Sequence, residues 1–213
     1  MPFNSVELVR VSQAGDLDRV RTLVDSGADV NSIGEHGIGP LLTRSAKVME
    51  FLLSRGADPN LQTNESGDPV LVGIAYLNEL DCVRLLLQAG ANPNALVNGT
   101  DETALHAVLA IPKEGAAAAT QCALVQLLVE HGAEVNRQTR PGVPCLAFWR
   151  DVRTRGETPL HRAAAFASEE TVRFLIDAGA DRTIRDVNGD SPQSWASWHW
   201  RPKPLIDLLD PRA

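Results

Sequence analysis

The 213-residue chain is short of cysteine, of aromatic residues and of positive charge, and each shortage excludes something. Its three cysteines, Cys82, Cys122 and Cys145, are odd in number, widely spaced and form no CxxC pair. That argues against a disulfide framework or a thiolate zinc site and for a reducing, cytoplasmic setting. Lys and Arg number 20 against 27 Asp and Glu, a net charge of −7. Non-specific nucleic-acid binding needs a basic footprint, so nucleic acid is not expected as a partner. No apolar run approaches the roughly 20 residues of a membrane span. The opening MPFNSVELVR lacks the charged-then-apolar pattern of a secretory signal, so no membrane association is expected. Missing too are GxSxG, the P-loop, the dinucleotide-binding glycine pattern and HExxH. The five histidines have no metal-ligand spacing. Neither a cofactor, a metal nor an enzymatic activity is expected.

What the chain does have is repetition. Five near-copies of one hexad occur: SGADVN at 26–31, RGADPN at 55–60, AGANPN at 89–94, HGAEVN at 131–136 and AGADRT at 178–183. Upstream of each lies an apolar run: VRTLVD, MEFLLS, VRLLLQ, VQLLVE and VRFLID. Apolar residues side by side predict helices buried on most of their surface. One residue separates each run from a glycine, where a helix can close at positive φ without a Cβ penalty. The small alanine that follows leaves room for a neighbouring backbone. Asp or Asn with Pro or Val then leads into an extended turn.

A second signal opens the units. Its clearest copy is GETPLHRAAAFASEETVRFLIDAGADRT at 156–183. Thr158 is a natural helix N-cap, Pro159 suits the first helical position, and the His161 ring can bond back to the turn. ETALHAVLA at 102–110 is a variant with Thr103 and His106. A structural hydrogen-bonding role is expected for both histidines.

The order of turn, TPLH, helix, helix and GADVN resembles the ankyrin repeat, whose period is about 33 residues. The resemblance covers nearly the whole chain. It implies an all-α fold, an ankyrin-repeat solenoid of about six stacked helix-turn-helix units with hairpin loops. One such unit cannot bury its apolar face alone, whereas stacked copies share one core. A single domain, 1–213, is expected, with units at about 3–33, 35–64, 66–97, 99–137, 154–185 and 186–213 and an inserted loop at 138–153.

The hexads begin at 26, 55, 89, 131 and 178, so their spacing grows from 29 to 47 residues. The second unit is short, and its first helix is expected to be clipped to about one turn. In the fourth, Pro112 and Gly115 should end the first helix, and the alanine run at 116–119 should extend the second helix backwards. The segment 137–155, RQTRPGVPCLAFWRDVRTR, holds five arginines and one aspartate in an otherwise acidic chain. Two readings stand. Leu146, Phe148 and Trp149 either fold back over neighbouring repeats or form a partner contact, since aromatics and arginine dominate interface hot spots.

Functionally, the resemblance implies a non-enzymatic protein–protein interaction module, an adaptor or scaffold. It implies a concave binding face built from hairpin tips and first helices. Transferred position by position, the hairpin candidates are Glu35 and His36, then Glu65, then Asp101 with Thr100 and Glu102. They continue with Arg153, Thr154, Arg155 and Glu157, and end with Asn188. First-helix candidates are Ala75, Tyr76, Arg162, Phe166 and Trp198, and the inserted loop adds Phe148, Trp149 and Arg150. The partner is expected to be a protein carrying an acidic or apolar protrusion that meets Arg150, Arg153 and Arg155, and the chain itself a monomer. The alternative is a dedicated inhibitor or immunity-type protein that occludes one enzyme or toxin. At least two of Trp195, Trp198 and Trp200 are expected to close the open end of the stack.

Overall fold

The computed structural model describes residues 2–34, 37–63, 67–144 and 153–212. Eleven helices run through these residues: α1 (Pro2–Gln13), α2 (Leu17–Asp25), α3 (Ala46–Ser54), α4 (Val70–Tyr76), α5 (Leu80–Gln88), α6 (Ala104–Val108), α7 (Gly115–Glu130), α8 (Pro159–Phe166), α9 (Glu169–Asp177), α10 (Pro192–Trp198) and α11 (Lys203–Leu208). A two-stranded antiparallel ribbon, β1 (Gln62–Thr63) and β2 (Asp68–Pro69), precedes α4. The helices form two rows. First helices touch in the order α4, α6, α8, α10, and second helices in the order α2, α3, α5, α7, α9, α11. Leu52, Leu86, Leu128 and Leu175 occupy the same register four residues before the hexad glycine, and all four are fully buried between rows. Burial of each such side chain contributes roughly 1.5–3 kcal/mol.

The hexad has a physical role letter by letter. Its glycine N–H and the following alanine N–H both fold back onto the last helical turn. In α5, for example, Gly90 N–H donates to the Leu87 carbonyl at 3.0 Å and Ala91 N–H to the Leu86 carbonyl at 2.9 Å. This paired closure needs positive φ at the glycine, and Gly90 has φ +92°. A Cβ there would meet nothing within 4 Å, so the demand for glycine is conformational rather than steric. The alanine is buried in every copy, at Ala28, Ala57, Ala91, Ala133 and Ala180.

The last letter, asparagine, spans to the next unit. Asn31 Nδ2 donates to the Gly56 carbonyl at 3.2 Å, while its Oδ1 accepts the Asp58 N–H at 2.7 Å. Asn60 does the same to Gly90 and Asn92, Asn94 to Gly132 and Glu134, and Asn136 to Gly179 and Asp181. Four asparagines thus tie five successive helix ends into a ladder. The fifth hexad ends in Thr183, whose hydroxyl turns back to Asp181 at 2.6 Å. There Arg182 reaches the final unit instead, through the Leu208 and Asp210 carbonyls.

Two departures from the period take definite forms. Among the described residues the second unit shows no α-helix before α3 but a turn at residues 40–41, where one turn of helix was expected. Too few residues separate Gly39 from Ser45, the N-cap of α3, for a helix to close. Leu41 still reaches the core, and Thr43 Oγ1 donates to the Ser12 carbonyl at 2.6 Å, which ties the turn to α1. In the fourth unit, α7 does run backwards through the alanines, to a length of 16 residues. Gln121 Nε2 fixes the preceding turn through the Val108 carbonyl at 2.8 Å.

Candidate interaction surface

The long segment before the fifth unit is anchored by backbone pairing at its base. Gly142 N–H donates to the Thr154 carbonyl at 2.7 Å, Thr154 N–H to the Val143 carbonyl at 2.9 Å, and Pro144 and Arg153 form an antiparallel bridge. The base is held from both sides. Arg140 N–H donates to the Thr100 carbonyl at 2.7 Å and Val187 N–H to the Arg155 carbonyl at 2.8 Å. This stem therefore continues the row of hairpins, with the fourth unit on one side and the sixth on the other. Phe148, Trp149 and Arg150 lie outside the described residues, as do Glu35, His36 and Glu65.

Beneath the stem sits a charge cluster. Arg162 is fully buried on α8, and its Nη2 lies 2.6 Å from both Glu102 Oε1 and Glu157 Oε1. Its Nη1 donates to the His106 carbonyl at 3.0 Å, so one side chain joins α6, α8 and both hairpin bases. The second Glu157 oxygen accepts from Thr139 Oγ1 at 2.8 Å and from the Arg155 N–H at 2.7 Å. Burial pushes the Glu157 carboxyl up, but Arg162 and the backbone donors outweigh that and hold it down at about 2. Arg162 is thus not a groove residue, which corrects the reading taken from the repeat register. Two acidic residues at the same register, one unit apart, draw the guanidinium inward. Glu102, Glu157, Thr100, Thr154 and Ala75 are buried as well, so they offer no contact surface.

The histidines of the two TPLH-like motifs act as caps. His161 Nδ1 accepts the Thr158 N–H at 3.1 Å, which leaves the proton on Nε2, and that nitrogen donates to the Asp190 carbonyl at 3.1 Å. His106 caps Thr103 in the same way, at 3.3 Å. Burial, with Arg162 next in effect, pushes the His106 ring down to about 4. Both imidazoles are therefore neutral structural groups near pH 7.

Four sequence-derived candidates converge on one cleft. Arg153 and Arg155 come from the stem, Phe166 from the end of α8 and Trp198 from α10. Trp195, His199, Glu157 and Asp190 complete the lining, around a space of about 340 Å³. The rings brace one another. Phe166 meets His199 edge to face with centroids 5.0 Å apart, and Trp195 lies against His199 at 6.3 Å. Trp195 Nε1 donates to Asp186 Oδ2 at 3.1 Å, and the Arg155 guanidinium lies 5.9 Å from the Trp195 ring. Trp195 and Trp198 share a helix face, as their spacing of three requires.

The remaining candidates lie apart. Tyr76 is half-buried against the core, Asn188 is exposed on the last hairpin, and Asp101 is engaged by Arg140, Nη2 to Oδ1 at 3.0 Å. The tryptophans do not close the stack as expected. Trp195 alone is half-covered, while Trp198 is 73% and Trp200 94% exposed. Ala196, Leu205 and Leu209 are buried there instead, and Trp200, at φ +54° just past α10, stays in solvent.

Comparison with known proteins agrees with this architecture. The family model described as "Ankyrin repeats (3 copies)" matches residues 41–139 and 116–209. NF-kappa-B inhibitor delta from Homo sapiens is 35% identical over 128 residues, 58% of this chain and 35% of that protein. The nuclear factor NF-kappa-B p105 subunit from Gallus gallus is 30% identical over 173 residues, 78% of this chain and 16% of its own length. The chain thus spans well under half the length of these curated relatives. Among solved structures, one chain of a complex between a predatory endopeptidase from Bdellovibrio bacteriovorus and an immunity protein superposes with a TM-score of 0.74. It covers 94% of this chain and 96% of its own at 22% identity, a likeness of fold. The chain belongs to the ankyrin-repeat family, and its stacked repeats are a protein-interaction module.

Proposed function

We propose that this module works without catalysis, as a cytoplasmic monomer that holds a protein partner on its hairpin and first-helix face. Contact centres on the stem of the long insert and on α10. One observation carries the reading: Trp198, 73% exposed, lines the same cleft as the exposed side chains of Arg153 and Arg155, and Trp200, two residues on, is 94% exposed. Large exposed aromatics next to arginine are costly on an idle surface and common at interface centres. The ionisable groups below them, Arg162, Glu157 and His161, are committed to holding repeats together, which leaves them no catalytic role. The buried thiols Cys82 and Cys122 suit a reducing compartment. Nucleic acid is a poor fit, because the chain carries a net charge of −7.

Affinity capture from the native cell, followed by mass spectrometry, tests this reading. The Trp198→Ala/Trp200→Ala double variant should lose the partner that the wild type retains, and Phe148→Ala/Trp149→Ala measures the share of the insert tip. Equal capture by wild type and the tryptophan variant would remove this face from the function. The inhibitor or immunity-type reading is the second one. It is favoured by the shared fold with a chain from the endopeptidase–immunity protein complex. One-to-one nanomolar binding that abolishes a partner's activity would select it, and several micromolar partners would select the adaptor.

A further inference from the structure

Given that this face binds a protein, we propose that the cleft between α8 and α10 seats one apolar side chain of an acidic segment of that partner. Carboxylates flanking the side chain would meet Arg153 and Arg155. The cleft, at about 340 Å³, lies at the small end of the roughly 300–1,000 Å³ usual for ligand sites. It suits one or two side chains of an extended segment.

The cleft is lined mainly by carbon surface. The Trp195 N–H is already taken by Asp186, so that indole offers carbon surface. His161 meets the Trp195 ring edge-on at 5.5 Å, and His199 packs against both Trp195 and Phe166. Held from several sides, the rings are arranged before anything binds, which lowers the ordering cost of association.

The sign of the flanking charge follows from how each charged group is engaged. Glu157 points into the protein, with Arg162, Thr139 and the Arg155 backbone on its oxygens. Of the two carboxylates in the lining that leaves Asp190, half-buried, against two exposed guanidiniums. Among the described residues, neither Arg153 nor Arg155 forms an ion pair, and Arg153 Nη1 bonds only to the Gly142 carbonyl at 2.7 Å. An aromatic pocket can also attract a cation. Here Arg155 already lies over the Trp195 face, so a lysine of the partner would meet like charge. Because the chain as a whole is acidic, a positive rim here favours the docking of an acidic segment at this place.

The test is selection of random octapeptides displayed on phage against the full chain, with binding of the selected peptides measured by fluorescence anisotropy. The expected peptides carry Asp or Glu on both sides of an aromatic or branched aliphatic residue. Arg155→Glu should weaken them at least tenfold and Trp198→Ala at least fivefold, and raising NaCl from 50 to 300 mM should weaken them further. Both positions are exposed, so unchanged thermal unfolding is the control for folding. Enrichment of Lys- or Arg-rich peptides, no enrichment at all, or selected peptides indifferent to both substitutions would overturn the proposal. If cellular capture still depends on Trp198 and Trp200 in that case, the interaction face survives and only the chemistry assigned to its occupant fails.

Discussion

Replacing Arg162 by leucine should be among the most damaging single changes available to this chain. The guanidinium is fully buried and holds Glu102 and Glu157, which are 5% and 2% exposed. Each carboxylate has an oxygen 2.6 Å from the same nitrogen, so those two oxygens lie no more than about 5 Å apart. Leucine leaves two like charges at that distance with no counter-ion. At an effective dielectric near 20 their repulsion alone is about 3 kcal/mol. Breaking a buried ion pair from one side typically costs about 3–5 kcal/mol. Domains are stable by only about 5–15 kcal/mol, so the variant should unfold much more easily. Urea titration followed by circular dichroism and tryptophan fluorescence measures the loss. The transition should also broaden or split, because the cluster joins the fourth unit to the fifth and repeat arrays are held by nearest-neighbour contacts. Adding Glu102→Gln and Glu157→Gln to Arg162→Leu removes the repulsion and should restore part of the stability. A loss below about 1 kcal/mol, or a triple variant no better than the single one, would refute the charge argument.

Two further outcomes follow from the same structure. The His106 ring is held down at about 4 when folded, against about 6.5 in an open chain, so the unfolded state takes up a proton first as pH falls. Its contribution to stability is complete above pH 6.5 and is lost as pH falls toward 4, and His161 is shifted in the same direction. The unfolding free energy from urea titrations should therefore drop between pH 7.5 and 4.5, by about 2 kcal/mol for His106 alone, before Glu157 contributes its own loss at lower pH. A flat profile over that range, or no flattening in His106→Asn, would count against it. Asn94→Ala removes both bonds of one ladder rung, to the Gly132 carbonyl and the Glu134 N–H. At partly exposed positions this should cost about 1–2 kcal/mol and reduce cooperativity, as read from a lower urea m-value.

Much of the architecture is legible in the letters because the repeat encodes local rules. Helix closure at Gly90 needs only a residue tolerant of positive φ, and the Thr158–His161 cap needs only neighbours three apart. The asparagine ladder is visible as a recurring letter but not as an action, since its partners lie 25 to 45 residues ahead. The candidate face is legible only in part. Phe166, Trp198, Arg153 and Arg155 do meet in one cleft, but Arg162, at an equivalent outward register, is drawn into the core. A sequence signal for that inversion existed: Glu102 and Glu157 stand before the same Thr in two consecutive units. Trp195, a candidate for closing the open end of the stack, is a wall of the cleft.

By itself, then, the sequence determined the unit, its two helices, its glycine closure and the fact of stacking. These depend on backbone conformation and apolar period, which act over a few residues. Only the tertiary structure decided which charges are buried, which tryptophans stay in solvent and where the arginines gather. Those outcomes depend on which side chains approach across unit boundaries, where a guanidinium between two carboxylates turns inward and one with no carboxylate paired to it among the described residues stays at the surface.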